Sequence, residues 1–316
     1  WIIKRKKIVI LLILIVAILP AFYTAYLRYF AKSKPISGSD KNKVSLNVNY
    51  QKDSEIKKSK SLLDNVEYPE NVSNRHPLAI MVENHTDARP QAGLDKAKIV
   101  YEAITEGGIT RFMAIFGPES ASKVGPVRSA RTFYLDWALE YDAFYAHVGG
   151  NLDALQLIPK ISIKDLDQFR YGGQAYWREP ELGKATEHTM YTDTDKLFQI
   201  AQNNHWDLNA DFESFKFKDD ASKDQRPENA SAVIEFSSQN YKVSWIYDRE
   251  ANNYVRKIAD IEQKDAVSKQ PLTAKNVFIQ EVERWNAPTE IREAGWAMKT
   301  VGSGNAKILL DGKEID

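Results

Sequence analysis

The sequence predicts an α/β or α+β mixed-sheet domain, then a smaller β-rich domain, behind a single N-terminal transmembrane helix. Three observations predict this. Ile8 to Leu27 is an uncharged, largely apolar run. Between residues 76 and 219 short apolar runs alternate with helical periodicity, which argues for a layered mixed sheet. After residue 220 the texture becomes strand-like, with turn residues between alternating segments.

The chain has 316 residues, enough for about two domains. Its 43 basic and 43 acidic residues cancel, but not evenly along the chain. Residues 1–39 hold seven Lys/Arg and no Asp/Glu, so the remainder holds 43 − 7 = 36 basic against 43 acidic residues. A net-acidic body argues against nucleic acid as partner, because phosphate binding needs a basic footprint. With no cysteine there is no disulfide, thiol nucleophile or Cys-based metal site.

Residues 1–30 read as a basic cytoplasmic tip and membrane anchor. Roughly 20 apolar residues span a hydrocarbon core of about 30 Å. Lys4, Arg5, Lys6 and Lys7 precede the run, which places the N-terminus inside and the rest of a single-pass chain outside the cytoplasm. A cleaved signal peptide is the weaker alternative, since no small-x-small site follows. Residues 31–75, rich in Lys, Ser and Asn, read as a flexible stalk.

The α/β domain is placed at 76–219. "HPLAIMVEN" gives a first strand, ending outward on polar residues. "KIVYEAITEGG" and "TRFMAIFG" give two more, and "KVGPVRS" a short fourth. Ser129 is placed to cap a helix running to about Tyr141, with Phe133, Trp137 and Tyr141 on its buried face. "AFYAHVGG" follows as a strand, then "NLDALQLIPK" as a helix capped by Asn151. In the β-rich domain, 220–316, Val243, Trp245 and Tyr247 share one strand face and "DREANN" makes a hairpin turn.

Candidate binding residues gather at predicted strand ends and adjoining loops, where α/β folds place ligands. They are Asn84, His85, Arg89, Glu102, Glu106, Arg111, Arg128, Arg131, His147 and Asn151, with Gln91, Thr110, Asp142 and His188 nearby. Arg128 and Arg131 flank a helix start, a poor place for cations alone but a good one for a phosphate or carboxylate. The competing reading pairs them with Glu102, Glu106 or Asp136. His147, alone in a strand, reads more readily as a hydrogen-bonded core residue than as an acid or base. The histidines and carboxylates are metal-ligand types, but no HExxH spacing appears, so neither metal nor cofactor is expected. There is no phosphate loop and no GxSxG elbow.

"HPLAIMVENHTDARPQAGLDKAKIVYEAITEGGITRFMAIF", "VGPVRSAR", "YDAFYAHVGGN" and "EHTMYT" resemble the YerB-like family, domain-of-unknown-function family 3048. "YDREANNYVRK", "LTAKNVFIQ" and "VGSGNAKILLDGKEI" resemble its C-terminal domain. The resemblance covers about His76 to Asp316 and implies a bacterial surface protein, lipoprotein-like, although the chain lacks the cysteine that carries the lipid. It implies no reaction, and it implies that the C-terminal domain continues past Asp316.

"ITRFMAIFGPESASKVGPVRSAR" followed by "YDAFYAHVGG" is also similar in order to the LytR-CpsA-Psr glycopolymer transferases. That similarity implies Arg111, Arg128 and Arg131 on a polyprenyl pyrophosphate, with magnesium as cofactor. Ser129 and Thr110-Arg111 stand where that family has acids. Three functions are therefore carried forward. The first is a non-enzymatic, membrane-anchored envelope protein that binds an anionic lipid-linked or wall polymer, or a protein partner. The second is a transferase, and the third a structural interaction module whose arginines are internal ion pairs.

Overall fold

The computed structural model describes residues 56–287 and 295–315. The first ordered feature is a hairpin of β1 (Lys58–Lys60) and β2 (Glu67–Pro69), followed by a helical turn, α1 (Glu70–Ser73). Residues 58–75 were expected to end a stalk. Instead Ser61, Leu63 and Ser73 are buried, and Lys98 pairs with Asp64 at 3.5 Å. Polar composition hid this because one buried leucine and a few polar contacts hold the hairpin.

The central sheet contains β3 (Leu78–Glu83), β4 (Ile99–Ile104), β5 (Thr110–Phe116), β6 (Phe144–His147) and β7 (Lys164–Asp167), in the order β4-β5-β3-β6-β7. β5 runs antiparallel to both neighbours, with Glu83 opposite Arg111, while β3, β6 and β7 are parallel. β3 lies in the middle, and all six of its residues are buried, which accounts for its unbroken apolar run. Side chains alternate between two cores. Leu78, Ile80, Val82 and Phe112 face one; Ala79, Met81, Met113 and Tyr145 face the other.

Helices cover both faces. α2 (Thr132–Leu139) packs Phe133, Tyr134 and Trp137 into the second core, where α3 (Leu152–Leu157) adds Ala154. α4 (Gln168–Tyr171) is one turn, and α5 (Thr194–Asn203) buries Leu197, Phe198 and Ile200 in the first core. A hairpin of β8 (Tyr176–Arg178) and β9 (Met190–Thr192) lies between them in sequence.

Two local expectations are corrected. "KVGPVRS" is extended but forms no regular strand. Pro126 lacks an N–H, so no full ladder can run through it. Its neighbours bond to both sides: Val127 N–H donates to Met190 O at 2.7 Å and Arg128 N–H to Met81 O at 3.0 Å. The helix then starts at Thr132, with Arg131 rather than Ser129 at the cap. Ala130 is held extended because its N–H donates to Gly149 O at 2.9 Å, which delays the first helical turn.

The β-rich part opens with β10 (Ser231–Glu235), β11 (Lys242–Asp248) and β12 (Asn253–Ile258), to which β13 (Ile261–Glu262) and β14 (Thr273–Ala274) attach. The "DREANN" hairpin forms as its residues dictate. Asp248 Oδ1 accepts from Glu250 and Ala251 N–H, and Asn252 takes the left-handed conformation at φ 51°. A three-stranded sheet of Asn276–Gln280, Ala306–Leu310 and Lys313–Ile315 follows. Tyr247, Tyr254, Val277 and Leu309 form the core between these sheets.

The single transmembrane helix is a correction to the expected fold class. No helix among the described residues is long and apolar enough to cross a membrane. The segment assigned to it, Ile8 to Leu27, lies outside the described residues, as does residues 31–55 of the expected stalk. The architecture stands as a mixed α/β part and a β-rich part.

Candidate functional site

The directions of the strands bring the C-terminal ends of β3, β4, β6 and β7 and the start of β5 to one end of the sheet. The polar residues there sort into three groups.

The first group is centred on Glu106, just past β4. Arg111 Nη2 lies 2.5 Å from Glu106 Oε1, and Arg131 Nη2 lies 2.9 Å from Oε2. Arg111 also donates to Ser129 O at 2.9 Å, and Arg131 Nη1 to Ala130 O at 2.8 Å. Burial disfavours the Glu106 carboxylate, but the two guanidiniums outweigh it and hold its pKa down at about 2. Arg131, set at the start of α2, thus meets a distant carboxylate.

The second group lies where β3 ends. Glu83 is nearly buried and accepts from His188 Nδ1 at 2.9 Å. Its other oxygen lies 3.2 Å from Arg128 Nε. The buried Nε makes no hydrogen bond despite this ion-pair distance. Arg128 Nη1 donates only a long 3.4 Å bond, to Glu187 O, and its side chain is 28% exposed. Beside it the rings of His85 and His188 stack at 5.0 Å. In the 3₁₀ turn after β3, His85 Nδ1 accepts from Asp87 N–H at 3.2 Å.

The third group is a polar seam between the α/β part and the β-rich part. Asn84 is fully buried and donates to Glu102 at 3.2 Å and Thr110 at 2.7 Å, while its carbonyl accepts from Arg89 and Gln91. Thr110 donates to Glu102 at 2.7 Å. From β12, Arg256 Nη2 reaches Glu102 Oε2 at 2.5 Å. Gln263 donates to Gln91 at 2.8 Å, and Arg89 donates to Asn240 O at 3.0 Å. Arg256 and Gln263 escaped sequence reasoning. Arg256 sits in an alternating strand where a charged residue reads as solvent-facing, and only the fold shows that this face meets Glu102.

The remaining candidates lie apart from these groups. His147 is fully buried, donates from Nδ1 to Gly149 O at 2.7 Å, and pairs through Nε2 with Asp165 at 2.9 Å. Asn151 caps α3 by accepting from Ala154 N–H at 3.4 Å. Asp142 pairs with Lys164 at 2.8 Å.

Residues 64–207 match the N-terminal domain, and 232–316 the C-terminal domain, of the family described as "Protein of unknown function (DUF3048)". The chain belongs to the DUF3048 family. A relative from Bacillus subtilis described as "Putative lipoprotein YerB" is 32% identical over 229 residues, covering 71% of this chain and 68% of that protein. The crystal structure of YerB from Bacillus subtilis superposes with a TM-score of 0.72 at 27% identity, covering 81% of this chain and 85% of that one. The fold of this DUF3048 member is therefore shared with a solved structure.

Proposed function

We propose that this chain is an envelope-associated binding protein, not an enzyme, that takes an anionic group at the Arg128 edge. The observation that carries the reading is the difference among the arginines at this end of the sheet. Arg111 and Arg256 are closed on carboxylates, with side chains 3% and 4% exposed, whereas Arg128, though 3.2 Å from Glu83, is 28% exposed and its Nη1 donates only a long 3.4 Å bond. A cation so placed gains from a phosphate or carboxylate oxygen that meets its N–H groups. The description of the Bacillus subtilis relative as a lipoprotein supports association with the membrane surface, and hence a lipid-linked or wall polymer as the anion.

The transferase reading loses support at the same place. It needs Arg111 and Arg131 open to pyrophosphate and carboxylates free for magnesium. Here Glu106 occupies both arginines, and Glu102 is taken by Arg256. The structural-module reading describes the Glu106 and Glu102 groups well and leaves Arg128 as the point of contact.

The test is a titration of wild type and Arg128→Ala against vesicles carrying polyprenyl phosphate and against a soluble anionic wall polymer. Saturable binding, weakened roughly tenfold to a hundredfold in the variant, is expected from the loss of a charge-assisted bond. Equal binding by both proteins, or none by the wild type, would leave a protein partner or a purely structural role.

A further inference from the structure

We propose that His85, Asp87 and His188 form a binding site for a divalent transition metal, with zinc as its best-suited occupant. One ligand atom from each of the three lies within 4.8 Å of the other two. Two imidazoles and a carboxylate form a donor set that suits zinc and related first-row ions and leaves a position for water or an incoming ligand.

The surroundings point the same way. His188 is nearly buried, and Glu83 accepts from its Nδ1 at 2.9 Å, so Nε2 is the nitrogen left to ligate. A carboxylate behind an imidazole is the arrangement that orients and strengthens metal-ligating histidines. Glu83 is itself nearly buried and braced by Arg128. His85 Nδ1 lies 3.8 Å from Asp87 Oδ2, and its one hydrogen bond is the 3.2 Å contact from Asp87 N–H. An ion takes the place of that contact, and the His85 ring turns out of its stack on His188 so that the in-plane lone pairs of both rings meet the metal.

The spacing must tighten on binding. Bonds of about 2.0–2.1 Å bring tetrahedral ligand atoms to roughly 3.4 Å from one another. The movement falls on the His85–Asp87 side, where Asp87 has a side chain 71% exposed and sits in a 3₁₀ turn, while His188 stays fixed by Glu83. The local charge suits a cation. Glu83, Asp87 and exposed Glu187 surround the pair of rings, against Arg128 and Lys184. The proposal stands apart from the anion reading and is tested with the metal alone.

The experiment is calorimetric titration of the metal-stripped full chain with zinc chloride, repeated with cobalt(II) to read its visible d–d bands. One equivalent should bind, and cobalt should give the intense bands of a four- or five-coordinate site. His85→Ala and His188→Ala should each weaken zinc binding by about a hundredfold or more, and Glu83→Gln by about 10- to 100-fold. Asp87→Ala changes an exposed side chain, so its loss of affinity cannot come from unfolding. His205→Ala, at an exposed histidine away from the cluster, should bind as wild type does. The absence of stoichiometric binding would overturn the proposal. So would wild-type affinity in the Asp87 and His85 variants, or loss of binding in His205→Ala.

Discussion

Arg256 Nη2 stands 2.5 Å from Glu102 Oε2, a buried ion pair between residues 154 positions apart in the chain. It joins β12 of the β-rich part to β4 of the central sheet. Both side chains are largely withdrawn from water, at 4% and 12% exposure, so either charge is costly without the other.

Arg256→Ala should therefore destabilise the protein by roughly 3–5 kcal/mol in urea denaturation, because Glu102 is left buried and unpaired. Adding Glu102→Gln should recover part of that loss by removing the stranded charge. A loss below about 1 kcal/mol in the single variant, the range of an exposed surface pair, would show that the pair is not integral to the fold.

Glu106 should produce an acid-sensitive component of stability. Its folded pKa, about 2, lies below the ordinary 4.5, so its contribution is fully present above 4.5 and lost as pH falls toward 2. A shift of this size corresponds to about 3 kcal/mol. Glu106→Gln should flatten the decline of stability between these pH values relative to wild type, as measured by denaturation at each pH.

Arg131→Ala and Arg128→Ala should separate packing from binding. The first removes two bonds to Glu106 and one to Ala130, and should lower stability by about 1.5–3 kcal/mol. The second leaves Glu83 its bond from His188, so the smaller melting loss is expected there. Anion binding should fall in Arg128→Ala and persist in Arg131→Ala. The reverse pattern in paired melts and titrations would move the contact point to the start of α2.

Trp137→Ala tests the second core. Trp137 is buried, stacks on Tyr101 at 5.1 Å and meets Phe133 and Tyr134 edge-on. Its removal should cost about 3–5 kcal/mol, read as a shift of the denaturation midpoint at unchanged slope.

The strands of the central sheet were legible where periodicity and termini agreed. "LAIMV" forms the fully buried strand its unbroken apolar run predicts, and Phe133 and Trp137 form the expected buried helical face, with buried Tyr141 in the turn just past the helix end at Leu139. The segment before that helix was not legible. Its backbone bonds go to Met81, Gly149 and Met190, and nothing in the local sequence names those partners. The site was legible by residue type and not by pairing. Glu106 lies 25 residues from Arg131, and Glu83 lies 105 from His188, so which charge closes on which is decided by strand order. The stacking of His85 on His188 was invisible for the same reason.

The Glu102–Arg256 pair also has a consequence in time. A ribosome releases the chain from the N-terminus onward, so β4 and its carboxylate emerge long before Arg256 exists. Until then Asn84 and Thr110 are the side chains of the nascent α/β part that hold Glu102. The completed sheet end is thus a record that β12 has arrived. A chain interrupted before residue 256 lacks the guanidinium that closes on Glu102 in the finished protein.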